Sequence, residues 1–443
     1  MLHIHKNWMF KGRTLVTCLV AGALSLTMVP GAQAKKKKEA APPPAAPRED
    51  VIKVDTNKLV WPAPPDIARI RWLKELKAEP KTAEEEAGPK KKKKSWMDKV
   101  AGVQAEQEGK KAYGRHHLMK PYGVVIDSKG RVYAADTFVG SVFIFDPEAN
   151  KVTFIRNGIN ARFKTIIGLA IDDNDRLFVS DADLHHVCAF DPAGKVEQCF
   201  GDDVLGRPSG MAIDTENRFL YVVDINKEQV AVFDADNFKL LRNVGGPPKK
   251  LNDDSPATFT KPSNAAVDSD GNLYVTDTFN NRIQIFDADG EFISMFGKNG
   301  DGLGDFIRPK GVGIDRDGHI WVADAMQNRV QIFDKEGHLV GYFGSYGTMP
   351  GQFGLATGLY VDKKTNRVAV ADQMKGRVQL FQYTTDVEAA ALKAGGGLNQ
   401  AATPASAPAA AAPAATPPAA IAGPGAPAAA TAAPKAGEPE KKK

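Results

Sequence analysis

The sequence predicts an all-β fold: a six-bladed β-propeller in which an N-terminal strand closes the last blade and the chain ends form disordered extensions. A segment of the form "KPSNAAVDSDGNLYVTDTFNNRIQIFD", found at residues 261–287, occurs six times along the 443 residues. Each copy alternates short runs rich in Val, Ile, Phe and Tyr with turns rich in Asp, Asn and Gly, which is typical of antiparallel strands. The copies follow one another every 42 to 54 residues, the length of a four-stranded propeller blade.

The copies share an aspartate at the end of their first apolar segment. These aspartates are Asp127, Asp172, Asp214, Asp268, Asp315 and Asp362. Each is followed by a turn, a second segment such as "LYVTD", a polar loop and a third segment such as "RIQIF". A fourth segment precedes the next copy, as in "VEQCF" (196–200) and "EFISMF" (291–296). Residues 120–386 are therefore predicted to form the six blades.

The sixth copy ends at "RVQLFQY" without a fourth segment, because the chain then enters a stretch of Ala, Pro, Gly and Thr. A missing outer strand would leave an unpaired sheet edge. The N-terminal segment "ARIRWLKEL" (68–76) has the pattern of a fourth strand. Residues 67–77 are therefore predicted to close the last blade.

The N-terminus has the features of an export signal. A basic start precedes an apolar run of about 16 residues, too short for a typical spanning helix, and small residues follow up to Ala34. Cleavage near Ala34 would release a periplasmic or secreted protein, and an uncleaved signal anchored in the inner membrane is the alternative. The predicted segments outside the ring are the signal peptide (1–34), a basic Pro-rich linker (35–66), a basic linker with a short helix around Trp96 (78–119) and a disordered Ala/Pro-rich tail (387–443).

Charge is distributed unevenly. Residues 35–119 carry a net charge of +8, whereas residues 120–386 carry −8. Because phosphate binding depends on clustered Lys and Arg, the acidic ring is not expected to bind nucleic acid. The Lys runs at 35–38 and 90–94 are expected to attract another envelope protein or an anionic polymer or lipid surface. The ring itself is expected to be monomeric.

The copies resemble NHL repeats. The shared pattern is Pro, then Gly, an apolar triplet that ends in Asp, "YVTD" and "NRIQIF". The copies that start at 261 and 308 match best, whereas those at 165 and 207 lack the pair formed by Asn281 and Arg282. The resemblance covers residues 120–385. It implies the fold rather than an activity, because the family includes ligand and protein scaffolds, RNA binders and a few lyases.

No catalytic residue, metal ligand or cofactor is predicted. The first segment of each copy should line the central channel, and none of these segments contains the His or Cys that a zinc site would need. The stretches "DSDG" (268–271) and "DRDG" (315–318) lack the late glutamate of a calcium loop and are predicted to be hairpin turns. The sequence favours a non-enzymatic protein- or ligand-binding scaffold in the cell envelope. A channel-centred lyase or lactone hydrolase, with or without a metal, is the alternative.

Cys188 and Cys199 flank the turn "DPAGK". If Asp191 lies opposite Val196, the two cysteines are direct cross-strand neighbours and can form a disulfide. Two buried free thiols are the alternative.

A recognition surface is predicted at the end of the ring where the first segments begin. The positions at or just before the repeat glycine differ from blade to blade, as a binding surface would. A solvated rim without a ligand is the alternative. The candidate contact residues are Tyr122, Ser209, Ser263, Asn264, Lys310 and Thr357, of which Asn264 replaces the glycine found in the other five copies.

Overall fold

The computed structural model describes residues 55–64, 66–78, 117–250 and 253–394. Within these ranges the strands form six antiparallel sheets, five of four strands and one of five. The first strands of successive blades contact one another, and that of the sixth blade contacts that of the first. The ring is therefore closed around a central channel, which confirms the predicted six-bladed all-β propeller.

Each blade runs from an inner strand at the channel to an outer strand at the rim. Blade 1 contains Pro121–Ile126 (β3), Val132–Asp136 (β4), Ser141–Asp146 (β5) and Lys151–Ile155 (β6). Blade 2 contains Ile166–Ile171 (β7), Leu177–Asp181 (β8), His186–Phe190 (β9) and Val196–Phe200 (β10). Blade 3 contains Pro208–Asp214 (β11), Phe219–Asp224 (β12), Gln229–Asp234 (β13) and Leu240–Val244 (β14).

The other three blades repeat this order. Blade 4 contains Asn264–Val267 (β15), Leu273–Asp277 (β16), Arg282–Phe286 (β17) and Phe292–Phe296 (β18); blade 5 contains Pro309–Ile314 (β19), Ile320–Asp324 (β20), Arg329–Phe333 (β21) and Leu339–Phe343 (β22); blade 6 contains Ala356–Asp362 (β23), Arg367–Asp372 (β24) and Arg377–Tyr383 (β25), followed outward by Ile70–Leu76 (β2) and Val60–Trp61 (β1).

The core is divided among the six interfaces between neighbouring blades. Each hydrophobic cluster combines side chains of two adjacent blades. A phenylalanine near the end of each third strand is almost fully buried, as with Phe190 and Phe286, which have no exposed area. Because both faces of a blade are covered by its neighbours, the side chains of the second and third strands are mostly buried on both faces.

The predicted closing strand is confirmed. In blade 6, β2 pairs with β25 through Ile70 opposite Tyr383 and Leu76 opposite Val378. The structure corrects the predicted linker at 35–66, because a short 3-10 helix (Thr56–Lys58) and β1 lie within it. The Trp61 ring packs against both Phe343 and Phe381. This aromatic packing explains why the chain is ordered there.

The predicted tail boundary at 387 is also corrected, because Asp386–Ala394 form a helix (α1). A capping box starts this helix: the Glu388 amide donates to Thr385 Oγ1 at 3.2 Å, and the Thr385 amide donates to Glu388 Oε2 at 2.9 Å. The run of alanines that follows favours a helical backbone.

The predictions for the export signal, the Lys runs, the helix around Trp96 and the tail beyond 394 fall on residues outside the described ranges. In the described part of the chain, no helix has the length and apolarity needed to cross a membrane.

Candidate binding face

The ring has two distinct faces. The upper face carries the starts of the inner strands, the loops between second and third strands, and the connections between blades. The lower face carries the hairpins between first and second strands. Buried aspartates fix the backbone on both faces.

The aspartate that ends each second strand ties two upper-face segments together. In blade 1, Asp136 Oδ1 accepts hydrogen bonds from the Phe138 and Val139 amides at 2.9 Å, and its Oδ2 accepts one from the Lys120 amide at 3.0 Å. In blade 4 the equivalent Asp277 also accepts a hydrogen bond from Arg282 Nε at 2.9 Å. These aspartates recur in every blade and have at most 1% exposed area, as expected for turn formers: Asp136, Asp181, Asp224, Asp277, Asp324 and Asp372.

Asp268 of the "DSDG" stretch also holds a turn. Asp268 Oδ1 accepts hydrogen bonds from the Asp270 and Asn272 amides at 2.8 and 2.9 Å, and its Oδ2 accepts one from the Tyr274 hydroxyl at 3.0 Å. Gly271 has a φ of +84°, a conformation that glycine adopts readily. The carboxylate oxygens of Asp268 are therefore used within the hairpin, as the sequence predicts.

The channel contains a cavity of about 290 Å³ whose wall is built from the inner strands. The repeat glycines let these strands come close: a Cβ at Gly168 would lie 2.0 Å from the Ser209 carbonyl oxygen, and one at Gly358 would lie 1.9 Å from that of Tyr122. Asn264 stands at the one position without this glycine. Its side chain lies against Gly210, where a Cβ would be 2.2 Å from Asn264 Oδ1.

Three of the six predicted contact residues lie inside the ring wall. Ser209, Ser263 and Thr357 have at most 1% exposed area. The Ser209 hydroxyl donates to the Ser263 carbonyl at 2.9 Å, and the Thr357 hydroxyl donates to the Pro121 carbonyl at 3.4 Å, each across a blade interface. This corrects the expectation that these hydroxyls face a ligand, because they join neighbouring blades.

The other three predicted residues lie at the upper mouth of the channel. Tyr122 and Asn264 line the cavity. Lys310 Nζ lies 5.8 Å from the centre of the Tyr122 ring, although blade 6 separates their blades. Tyr122, Asn264 and Lys310 are therefore the predicted residues that remain available to a ligand.

A lysine that the sequence analysis missed spans the lower end of the channel. Lys363 of blade 6 donates from Nζ to the Val267 carbonyl of blade 4 at 3.1 Å. Burial lowers the pKa of Lys363, and the negative charge of Asp268 opposes this shift. Tyr360 lines the same cavity, and burial raises the pKa of its hydroxyl. Lys363 occupies an ordinary turn position, so its reach across the channel was visible only in the structure.

In the described part of the chain, the compact groups of potential metal ligands lie outside the cavity wall. Three groups of His, Cys and acidic side chains lie close together among the described residues, and none is part of the cavity wall. In one of them Asp315 Oδ2 lies 3.1 Å from His319 Nδ1 and accepts a hydrogen bond from Trp321 Nε1 at 2.9 Å. The hydrogen bond between His319 and Asp315 raises the pKa of His319, although burial opposes the shift. The group stabilises the lower edge between blades 5 and 6.

The sulfurs of Cys188 and Cys199 are joined in a disulfide, with the two Cα atoms 4.0 Å apart. The predicted strand register is wrong at Val196, which pairs with Phe190 rather than with Asp191. A bulge follows Val196 and shifts the register by one residue, so that Cys199 still lies opposite Cys188.

Large apolar side chains are exposed at one repeated position of the upper face, two residues after the aspartate that ends each second strand. The exposed fractions are 66% for Phe138, 53% for Phe279, 56% for Met326 and 62% for Met374. The sequence contains this signal as "DTF", "DTF", "DAM" and "DQM", in blades 1, 4, 5 and 6.

Comparison with known proteins supports the fold. A family model described as a 6-bladed beta-propeller matches residues 259–330. A "probable peptidyl-alpha-hydroxyglycine alpha-amidating lyase" of Caenorhabditis elegans is 32% identical over 102 residues, which is 23% of this chain and 28% of that protein.

Three solved structures match part of this chain at low identity. A structural genomics protein from Bacteroides thetaiotaomicron matches with a TM-score of 0.49 and 18% identity, over 60% of this chain and 70% of that one. A gluconolactonase from Xanthomonas campestris matches with a TM-score of 0.47 and 18% identity, over 60% and 86%. Virginiamycin B lyase from Staphylococcus aureus matches with a TM-score of 0.44 and 13% identity, over 60% and 95%.

Proposed function

We propose that this protein is an exported propeller of NHL type that acts as a non-enzymatic scaffold in the cell envelope and holds a partner protein on its upper face. The observation that carries the proposal is the exposure of Phe138, Phe279, Met326 and Met374 at equivalent positions of four consecutive blades. Isolated exposed apolar residues are common, but large ones clustered on one face mark interaction sites.

The scaffold supporting these side chains is rigid. Two backbone amides of the loop that carries Phe138 donate hydrogen bonds to Asp136, and the Lys120 amide of the neighbouring segment donates a third; Asp136 itself is fully buried. A rigid loop loses little conformational entropy on binding, so apolar area buried there contributes more of its free energy to affinity. At the centre of this face, Tyr122, Asn264 and Lys310 provide polar contacts around the channel mouth.

The N-terminal features of the sequence support placement outside the cytoplasm. The signal-like segment ending near Ala34 is the basis for a periplasmic or secreted location, or for an inner-membrane anchor if it is retained. The Lys runs at 35–38 and 90–94 would add weak, salt-dependent attraction to an anionic polymer or lipid surface. The acidic ring is proposed not to bind nucleic acid and to be monomeric.

A lyase or lactone hydrolase is the second candidate, because part of the chain is 32% identical to the amidating lyase. In that case Lys363 and Tyr360 are the channel groups with altered pKa values that would exchange protons. Turnover of a lactone panel by the wild type that is abolished in Lys363→Met would favour the enzyme.

Site-specific photo-crosslinking tests the scaffold function. A benzophenone amino acid is placed at Met374 on the upper face or, as a control, at Ile293 on the rim, where 50% of the side chain is exposed. Irradiation in cells of the source organism should give a discrete protein adduct from position 374 and none from position 293. Equal adducts from both positions, or none from position 374, would contradict the proposal.

A further inference from the structure

The upper face is divided into two chemically different halves. At the position two residues after the second-strand aspartate, blades 4, 5, 6 and 1 carry Phe279, Met326, Met374 and Phe138. Blades 2 and 3 carry Asp183 and Asn226 there. The apolar positions are thus contiguous around the ring, and the polar positions are contiguous as well.

Two cations of the polar half form ion pairs within the protein. Arg207 Nη1 lies 2.7 Å from Asp183 Oδ1, and Lys261 Nζ lies 3.0 Å from Glu228 Oε1. The Arg207 and Thr165 contacts lower the pKa of Asp183, with the Thr165 hydrogen bond the larger cause. At these two positions the charges are already paired within the protein and are not free for a partner.

Three cations of the apolar half lie on aromatic rings instead. The Arg308 guanidinium is 4.2 Å from the centre of the Phe279 ring, the Lys120 ammonium is 5.7 Å from that of Phe138, and the Lys375 ammonium is 5.6 Å from that of Tyr346. No carboxylate of the described residues forms an ion pair with these three cations. Their hydrogen-bond donors remain free for an incoming anion, while the rings beneath them offer apolar area.

We propose that this half-face, formed by Lys120, Phe138, Phe279, Arg308, Met326, Met374 and Lys375, binds a partner segment that combines carboxylates with large apolar side chains. The proposal rests on the proposed scaffold function and specifies the chemistry of the partner. Carboxylates would pair with the free cations, and apolar side chains would cover the Phe and Met side chains, of which Met adapts readily to different shapes. A nucleic acid fits less well, because the three cations of this half-face lie on three different blades and phosphate binding depends on clustered Lys and Arg.

The proposal is tested by selection from a phage-displayed library of random 16-residue peptides against the full-length protein. Recovered peptides should be enriched in Asp and Glu together with Phe, Trp, Leu or Met. Binding of the best recovered peptide, measured by fluorescence anisotropy, should weaken at least tenfold in Phe138→Ser/Met374→Ser and in Arg308→Glu. It should also weaken as salt is raised, because exposed charges are screened.

The matched control is Asp183→Ser/Asn226→Ser, which changes the equivalent positions of the polar half and should leave peptide affinity within about twofold. Unchanged urea denaturation of each variant shows that folding is intact. No enrichment, enrichment of basic peptides, or equal loss in the control variant would overturn the proposal, as would tighter binding of a labelled single-stranded oligonucleotide. An adduct from position 374 without acidic peptide enrichment would refute this inference and leave the scaffold function standing.

Discussion

The closing strand makes the sharpest stability prediction. Ile70 of β2 is 3% exposed and packs in the cluster that contains Trp321 and Phe343 of blade 5 and Phe381 of blade 6. Ile70→Ala removes three carbon groups, and at about 0.8 kcal/mol for each the transfer term is about 2.4 kcal/mol. The cavity left behind brings the expected loss of unfolding free energy to about 2–5 kcal/mol.

The assay is urea denaturation followed by far-ultraviolet circular dichroism. The matched control is Ile293→Ala in the outer strand of blade 4, where the side chain is 50% exposed and the expected loss is less than about 1 kcal/mol. If Ile70→Ala costs no more than Ile293→Ala, the N-terminal strand does not contribute to closing the ring. A large difference shows that the ring depends on a segment far away in sequence.

Three further perturbations test the interior contacts. Arg282→Met leaves the buried Asp277 without its cationic partner and should lower the unfolding free energy by about 3–5 kcal/mol in urea denaturation. Arg329→Met, the control, removes a donor to one carbonyl and should lower it by about 1 kcal/mol. Equal losses would contradict this reasoning. Cys188→Ala/Cys199→Ala removes the disulfide, which closes a loop of sequence separation 11, and should lower the unfolding free energy by about 3 kcal/mol. A reductant that leaves wild-type stability unchanged would argue against the disulfide. Because the pKa of His319 is raised in the folded protein, its contribution to stability is complete below about pH 6.5 and is lost as the pH rises through the raised pKa. His319→Gln should therefore reduce the decrease in unfolding free energy over this pH range. An unchanged pH profile would exclude the interaction.

The repeat pattern was sufficient to predict the architecture. Six copies with a shared aspartate defined the blades, and the short sixth copy pointed to the segment that became β2. These features are local and periodic, so the sequence displays them directly. The start of α1 was visible too, as the capping box from Thr385 to Glu388, but the alanine-rich composition of the tail obscured it.

The candidate site was predicted less well. Side chains next to the repeat glycine face either the mouth of the channel or the neighbouring blade. Which of the two they face depends on how closely adjacent inner strands approach each other. Ser209 and Tyr122 occupy equivalent sequence positions, yet only Tyr122 lines the cavity. Lys363 crosses the channel through a contact with Val267, 96 residues away in sequence, which no local pattern indicates.

Hydrogen–deuterium exchange of the full-length protein with and without a saturating acidic peptide from the selection tests the two-half upper face most directly. The account predicts slower exchange in the loops at 137–140, 278–281, 325–328 and 373–376. It predicts unchanged exchange in the equivalent loops of blades 2 and 3, at 182–185 and 225–228. Protection confined to blades 2 and 3, or to the outer strands, would contradict it.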